Sequence, residues 1–352
     1  MNVPFLNIST HICYVKRAVI APDSAFAGGF VRMFQNTKLC VIVPAYNEEQ
    51  LIADTLVSIP ASVDKIYVVN DASTDRTQTV IDDHAKKDPR IVPLHHEQNR
   101  GVGAAIITGY KRGLADEMQV FVVMAGDNQM DPIVLPSLVL PIIQNKADYT
   151  KGNRLLSPEY RKGMSKWRFV GNTILTLLTK FSSGYWKLMD PQNGYTAISA
   201  RALERINLDM IYPRYGYCND LLVKLNVFGF RVMDIEMPAR YGRERSKIQY
   251  GPYIGKVSWL LFKDFLYRLR MKYVVLSFHP IVLFYFFGGL LTLAGLLAGI
   301  YTVFFVLVQH GPLFIRGVLS LLIFALGMQF LSFALMFDIQ ENREISLADW
   351  TE

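Results

Sequence analysis

The sequence predicts an α/β protein with a mostly parallel central sheet, followed by amphipathic interface helices and a two-helix membrane hairpin. Three observations predict it. Short apolar runs at 39–43, 65–69, 91–94 and 120–124 alternate with helix-length segments at 48–58, 74–86 and 103–113. Polar clusters containing Asn47, Asp71 and Asp127 each follow one of those runs. Residues 281–308 and 317–337 carry no charged side chain.

Strands separated by about a dozen helical residues make right-handed βαβ units, which bury a parallel sheet on both faces. Roughly 110 residues are enough for such a core. Ligands of open sheets of this kind bind beyond the carboxyl ends of the strands. The segment before Lys38 has neither period nor linker composition. Lys16-Arg17 and a short apolar run resemble a signal peptide only weakly, with Asp23 against it. Residues 1–37 are expected to be an extension, and Met33 is an alternative start.

A helix of about 20 apolar residues crosses a hydrocarbon core of roughly 30 Å, so both uncharged stretches qualify. The link at 309–316 contains Gly311, Pro312 and Arg316 and reads as a turn outside the bilayer. Before the first span, Lys256, Lys263, Arg268, Arg270 and Lys272 accumulate among apolar residues, opposed by Asp264 alone. Positive flanks stay cytoplasmic, so a multi-pass protein of the cell membrane with a cytoplasmic N-terminal domain and tail is expected. The helical spacing of Leu261, Phe265 and Leu269 suggests an amphipathic helix lying in the interface, with a core helix as the alternative. Much of the net charge of +7 is then membrane-surface charge, and nucleic acid is an unneeded explanation.

Cys13, Cys40 and Cys218 are far apart and show no CxxC spacing, which excludes a zinc ribbon or disulfide framework and fits a reducing compartment. The six histidines include no HExxH arrangement. Asp71 and Asp75 follow the second strand, where a carboxylate can accept hydrogen bonds from a base or ribose; helix capping is the alternative for residues 73–75. Gly101-Val102-Gly103 is only half of a dinucleotide fingerprint and follows the wrong strand, although Arg100 beside it suits a phosphate. Carboxylate and amide oxygens cluster in the segment from Asp127 through Gln129 to Asp131. Such a set suits a hard divalent cation that bridges a nucleotide diphosphate.

Four motifs occur in order: Val41-Ile42-Val43-Pro44-Ala45-Tyr46-Asn47-Glu48-Glu49, Val69-Asn70-Asp71-Ala72-Ser73-Thr74-Asp75, Asn99-Arg100-Gly101-Val102-Gly103-Ala104-Ala105 and Gly126-Asp127-Asn128-Gln129. Together they resemble family 2 glycosyltransferases of the GT-A fold, and with the hairpin behind them the polyprenyl-phosphate (dolichol-phosphate) branch, including dolichyl-phosphate mannose synthases. The chain departs from the family at two places. The family's Asp-x-Asp is Ala125-Gly126-Asp127, which lacks the first acidic ligand, and the lysine often found between the two glycines is Val102.

The resemblance implies a UDP- or GDP-linked sugar as donor, a polyprenyl phosphate as acceptor, and transfer of one sugar with inversion. It implies that Pro44, Tyr46, Asn47, Glu48, Asp71, Arg100, Gly101, Asp127 and Lys247 line the donor side, with Asp127 and Gln129 holding Mg²⁺ or Mn²⁺. Arg154, Arg168, Asn172 and Gln192 would meet the acceptor phosphate. Arg168 and Asn172, four apart, share a face of a helix. Asp127 and Arg168 carry the chemistry, while Asp190 and Asp220 stand between a base, an orienting carboxylate and simple structural hydrogen bonding. The expected organisation is an extension at 1–37, a GT-A domain at 38–250, interface helices at 251–273, a hairpin at 274–338 and a tail at 339–352. Two spans offer no channel for a polymer, and a Gln-x-x-Arg-Trp motif is absent, which disfavours a processive polysaccharide synthase. A catalytically silent scaffold that binds nucleotide-sugars is the other alternative, supported by Ala125. A helix pair can also join protomers, and the sequence fixes no number.

Overall fold

The computed structural model describes residues 37–155, 166–238, 250–309 and 314–347. In chain order the elements are β1 (Leu39–Ala45), α1 (Ile52–Ser58), β2 (Lys65–Asn70), α2 (Thr77–Ala85), β3 (Ile91–His95), α3 (Val102–Ala115), β4 (Val120–Val123), a 3₁₀ turn (Pro132–Val134), α4 (Leu135–Ile143) and β5 (Tyr149–Asn153). They continue as α5 (Lys166–Ser183), β6 (Thr196–Ser199), α6 (Ala200–Arg205), α7 (Tyr217–Val227), β7 (Val232–Glu236), α8 (Tyr250–Arg270), a π-helical segment (Met271–Leu276), α9 (Ile281–Gln309), α10 (Phe314–Glu341) and β8 (Ser346–Leu347). The described residues divide into two compact units: 37–155, 193–217 and 234–238 form one, and 166–192, 218–233, 250–309 and 314–347 the other.

The first unit is built on a sheet of order β3-β2-β1-β4-β6-β5-β7. β1 pairs in parallel with β2 (Cys40↔Lys65 through Ala45↔Asn70) and with β4 (Leu39↔Val120), and β2 pairs in parallel with β3. β6 runs antiparallel to both β4 and β5. All seven residues of β1 are buried, as expected for a strand covered on both faces. This mostly parallel arrangement carries the carboxyl ends of β1, β2, β3 and β4 to one edge. The loops that follow them therefore assemble there.

In the second unit α5 packs on α8 through a core of Leu175, Val257 and Leu261. This corrects the expected interface stripe, because Leu261 is only 2% exposed. α8 has two apolar faces, and helical period alone does not say which one a neighbouring helix covers. Its outer face instead shows Trp259, Phe262 and Leu266, with the Trp259 and Phe262 rings stacked at 5.6 Å between centroids. Lys256, Lys263 and Arg270 are exposed beside them.

α9 and α10 are each long and apolar enough to cross a membrane. They meet along seams spaced by seven residues: Ile281, Gly288, Gly295 and Thr302 face Ser320, Gly327 and Ala334. Small residues let the backbones approach closely, as in lipid-embedded helix pairs. Most large side chains of both helices, such as Leu297, Ile300, Phe304 and Leu321, remain exposed. A core helix of a soluble domain would bury them.

Candidate active site

The loops after β1 and β2 are knitted to each other. Asn47 adopts φ 57° and accepts from Thr74 N at 2.8 Å through its side chain, while its own N–H reaches Ser73 Oγ at 3.0 Å. Glu48 N donates to Thr77 Oγ1 at 2.8 Å, and the Glu49 carboxylate accepts from Arg76 N at 3.0 Å. Ser73 through Asp75 thus hold the neighbouring loop, and Asp75 also accepts from Thr77 N at 3.0 Å from one residue before the cap position, Arg76, which makes no side-chain cap. Tyr46 remains 40% exposed at this edge.

Asp71 is 3% exposed, and its carboxylate organises the loop after β3. One oxygen accepts from His96 Nδ1 at 2.7 Å and Arg100 N at 2.9 Å; the other accepts from Gly101 N at 2.7 Å. His96 Nε2 in turn meets Thr108 Oγ1 on α3 at 2.9 Å. Charge-assisted bonds of this kind are short and strong, so residues 99–101 are held rigidly. Gly101 has φ +98°, and a Cβ there would lie 2.6 Å from Pro213 O. That glycine serves backbone geometry. Arg100, with His95, His96, Glu97 and Gln98, lines an open depression of about 400 Å³ beside the Asp71 anchor.

The loop after β4 turns tightly. Gly126 N donates to Pro44 O at 3.2 Å, and a Cβ at Gly126 would press on Ile52 Cδ1 at 2.9 Å. Asn128 takes φ 55° and donates from its N–H to Thr55 Oγ1 at 3.1 Å. Gln129 N donates to Asp127 Oδ1 at 3.1 Å, and Asp131 caps the 3₁₀ turn by accepting from Ile133 N at 3.0 Å. Asp127 and Gln129 are half-buried at the same sheet edge as Asp71. Among the described residues no group of three His, Cys, Asp or Glu side chains could hold a metal by itself. The oxygen donors of Asp127 and Gln129 nevertheless fit Mg²⁺ or Mn²⁺, because such ions are commonly held by one or two carboxylates plus substrate phosphates.

Arg154 follows β5, which carries fully buried polar residues. Asn153 Nδ2 donates to Asp234 Oδ2 at 2.6 Å, and Asn193 Nδ2 donates to Gly152 O at 2.7 Å. Pro44, Tyr46, Asn47, Glu48, Asp71, Arg100, Gly101, Asp127, Gln129 and Arg154 all belong to the first unit. Arg168, Asn172, Asp190, Gln192 and Asp220 belong to the second. Arg168 and Asn172 lie in the first turns of α5, and Asp190 is 1% exposed. Both polar atoms of the Gln192 amide are buried with no hydrogen-bond partner among the described residues. Lys247 lies outside the described residues. Asp220, at 2% exposure, pairs with Lys224 one turn along α7. Burial and the Asp220 charge push the neighbouring Asp264 carboxyl up to about 8. His96 and Thr108 were missed from sequence, as were Asn193 and Asp234 as supports of β5.

A mostly parallel sheet with these loops gathered at one edge is the architecture of a GT-A-like α/β fold. The model of the glycosyl transferase family 2 domain matches residues 40–206. The chain is 30% identical over 205 residues to a UDP-N-acetylglucosamine–dolichyl-phosphate N-acetylglucosaminyltransferase of Methanococcus voltae, covering 53% of this chain and 81% of that protein. It is 29% identical to an undecaprenyl-phosphate mannosyltransferase of Micrococcus luteus, covering 56% of this chain and 82% of the relative. Among solved structures, glucosyl-3-phosphoglycerate synthase of Mycobacterium tuberculosis, crystallised with Mn²⁺, UDP and phosphoglyceric acid, superposes with a TM-score of 0.53 at 21% identity. That match covers 68% of this chain and 81% of the other. The chain belongs to glycosyl transferase family 2.

Proposed function

We propose that the protein transfers a single sugar, with inversion, from a nucleotide-sugar to a polyprenyl phosphate at the surface of a membrane. The observation that carries this reading is the register of the parallel strands, which gathers Asp71, Arg100, Asp127 and Gln129 at one edge of one unit. The two relatives named above act on dolichyl phosphate and undecaprenyl phosphate by their names. The apolar pair α9 and α10 supports an acceptor carried by lipid.

A phosphate monoester carries about −1.5 to −2 charges at neutral pH, so the nucleophile is already ionised and needs no strong base. The site must offset the repulsion between an anionic acceptor and an anionic donor. Rigid presentation of residues 99–101 by Asp71 positions Arg100 for the donor, and fixed geometry lowers the entropic part of the barrier. Asp127 and Gln129 would hold the divalent cation, which when bound stabilises the departing nucleoside diphosphate. The unpartnered amide of Gln192 suits a polar acceptor, since a buried amide left without partners costs about 1–3 kcal/mol. Arg154, Arg168 and Asn172 are assigned to the acceptor phosphate, and Lys247 to the donor diphosphate. Asp190 and Asp220 are buried, and for Asp220 the ion pair with Lys224 favours a structural role.

The test is an Asp127→Ala variant assayed with labelled nucleotide-sugar and polyprenyl phosphate in vesicles, with and without Mn²⁺. A loss of about 100-fold or more in metal-dependent lipid labelling is expected, the size typical of a lost electrostatic contact in a transition state. Undiminished labelling would remove the metal assignment.

A further inference from the structure

The second unit contains a polar network that the proposed chemistry does not use. Arg268, at the end of α8, is 0% exposed, and so is Asp338 in the last turns of α10. The guanidinium spends all five of its donors. Two bind Asp338 in bidentate fashion, from Nη1 at 2.7 Å and Nη2 at 3.0 Å; a third reaches Tyr273 Oη at 3.4 Å. The remaining two cap the C-terminal carbonyls of α5, Nε to Ser182 O at 2.8 Å and Nη2 to Phe181 O at 3.0 Å. Asp338 Oδ1 also accepts from Tyr273 Oη at 2.6 Å and Asn342 Nδ2 at 3.1 Å. Lys272 adds bonds to Asn342 Oδ1 at 2.6 Å and Asn226 Oδ1 at 3.1 Å.

The end of α5 is shaped to receive the arginine. Gly184 has φ +76°, and a Cβ there would stand 2.8 Å from Arg268 Nη1. A buried ion pair contributes little net stability compared with apolar residues of the same shape. What it adds is direction: five donors in a planar fork admit one arrangement of their acceptors. The seam of α9 and α10 from Ile281 to Thr302 and from Ser320 to Ala334 holds no charged side chain, and its hydroxyls at Thr302 and Ser320 bond carbonyls of their own helices.

We propose that Arg268 and Asp338 are positioning residues for the lipid-linked acceptor, fixing the end of α5 to the end of the hairpin and so setting the height of Arg168 and Asn172 over the bilayer. The inference rests on the reading that the acceptor is a polyprenyl phosphate. α5 is a helix of 18 residues, about 27 Å long, with Arg168 near one end and the capped carbonyls at the other. A lipid phosphate is confined to a narrow depth. A helix tied rigidly to the hairpin meets it at that depth, and a loosened one does not.

The experiment compares two acceptors in the same vesicles, a long-chain polyprenyl phosphate held in the bilayer and a short-chain, water-soluble prenyl phosphate. Asp338→Asn and the double variant Arg268→Met with Asp338→Leu are assayed beside the wild type. The double variant replaces the pair by apolar volume, so its thermal stability stays close to the wild type while the directed bonds are gone. Expected is a rise of about tenfold in KM for the long-chain acceptor, an unchanged KM for the nucleotide-sugar, and a much smaller loss on the soluble acceptor. Equal losses on both acceptors, or no change in a folded variant, overturn the positioning role. A wild type that labels neither acceptor instead overturns the acceptor reading itself. Should the double variant not fold, Asp338→Asn, which keeps the shape of the side chain, decides the matter on the same comparison.

Discussion

Asp71 shows how one buried side chain can organise a neighbouring loop. Its two oxygens gather a ring nitrogen and two backbone N–H groups, so Asp71→Asn would turn an NH₂ toward at least one of those donors. Loss of a charge-assisted bond and the clash of donors cost on the order of 2–3 kcal/mol. The expected outcome is a fall of about 10- to 100-fold in nucleotide affinity, measured by calorimetric titration of UDP and GDP with Mn²⁺. Unchanged affinity would mean that residues 99–101 do not shape the donor site. Asp71 was legible in the sequence because it stands at a strand end beside a turn. His96 was not, because it becomes a neighbour of Asp71 only through the parallel register Asn70↔His95, a long-range pairing with no local signature. Gly101 was expected on the donor side by resemblance, and its φ of +98° with Pro213 O close to where a Cβ would stand gives a backbone cause for a glycine there.

Among the elements, the first four strands and the helices between them were legible because buried parallel strands are continuous apolar runs bounded by polar turns. β5 and β6 were not, since Lys151, Asn153, Thr150 and Thr196 are buried polar residues that break the pattern. Their satisfaction depends on partners distant in sequence. The seam of α9 and α10 yields a contrast between glycines. A Cβ at Gly295 would meet Phe324 N at 2.5 Å and Phe324 Cα at 2.6 Å, backbone that cannot give way, whereas nothing lies within 4 Å of Gly289. Gly295→Val is expected to lower the melting temperature in detergent by about 5 °C or more through overpacking. Gly289→Ala should be neutral or slightly stabilising, because alanine is favoured over glycine in a helix by roughly 1 kcal/mol. A second element-level prediction concerns α7 and α8, where Asp220, Lys224, Asp264 and Tyr267 are packed together with Lys263 alongside Asp264. Burial, with the Asp220 charge second, raises the Asp264 carboxyl to about 8, while in the unfolded chain it titrates near its ordinary value of about 4. Between those values the folded state holds a proton that the unfolded state has released. Stability therefore falls as pH rises from about 4 to about 8 and is insensitive to this group above that. Melting curves across this range should show a decline in the wild type that is shallower in Asp264→Asn, and parallel curves would refute a protonated Asp264 in the folded state.

At the scale of the whole molecule, the chain that emerges from α10 returns to pair with a strand that precedes the hairpin. Val232 pairs in parallel with Ser346 and Met233 with Leu347, and Val232 N donates to Ile345 O at 2.9 Å. On the reading that α9 and α10 both cross a bilayer, the pairing of β7 with β8 requires both ends of the hairpin to lie on one side. Composition sets which side that is. Arg268 is neutralised by Asp338, so Lys256, Lys263 and Arg270 form the exposed positive flank of α8, and the preference of positive flanks for the inner side predicts that this face is cytoplasmic. The same face carries Trp259, Phe262 and Leu266, apolar groups suited to the headgroup boundary. Cys40 and Cys218 are buried, so with Cys13 replaced by Ser a single introduced cysteine reports its own side. In intact cells an impermeant thiol reagent should label Gly311→Cys, between the two helices, and leave Lys256→Cys and Glu344→Cys unlabelled. In inverted vesicles the pattern should reverse. Labelling of positions 256 and 344 from opposite sides would show that α9 and α10 do not both cross the bilayer. The donor edge and the lipid phosphate would then have to be brought together in some other way.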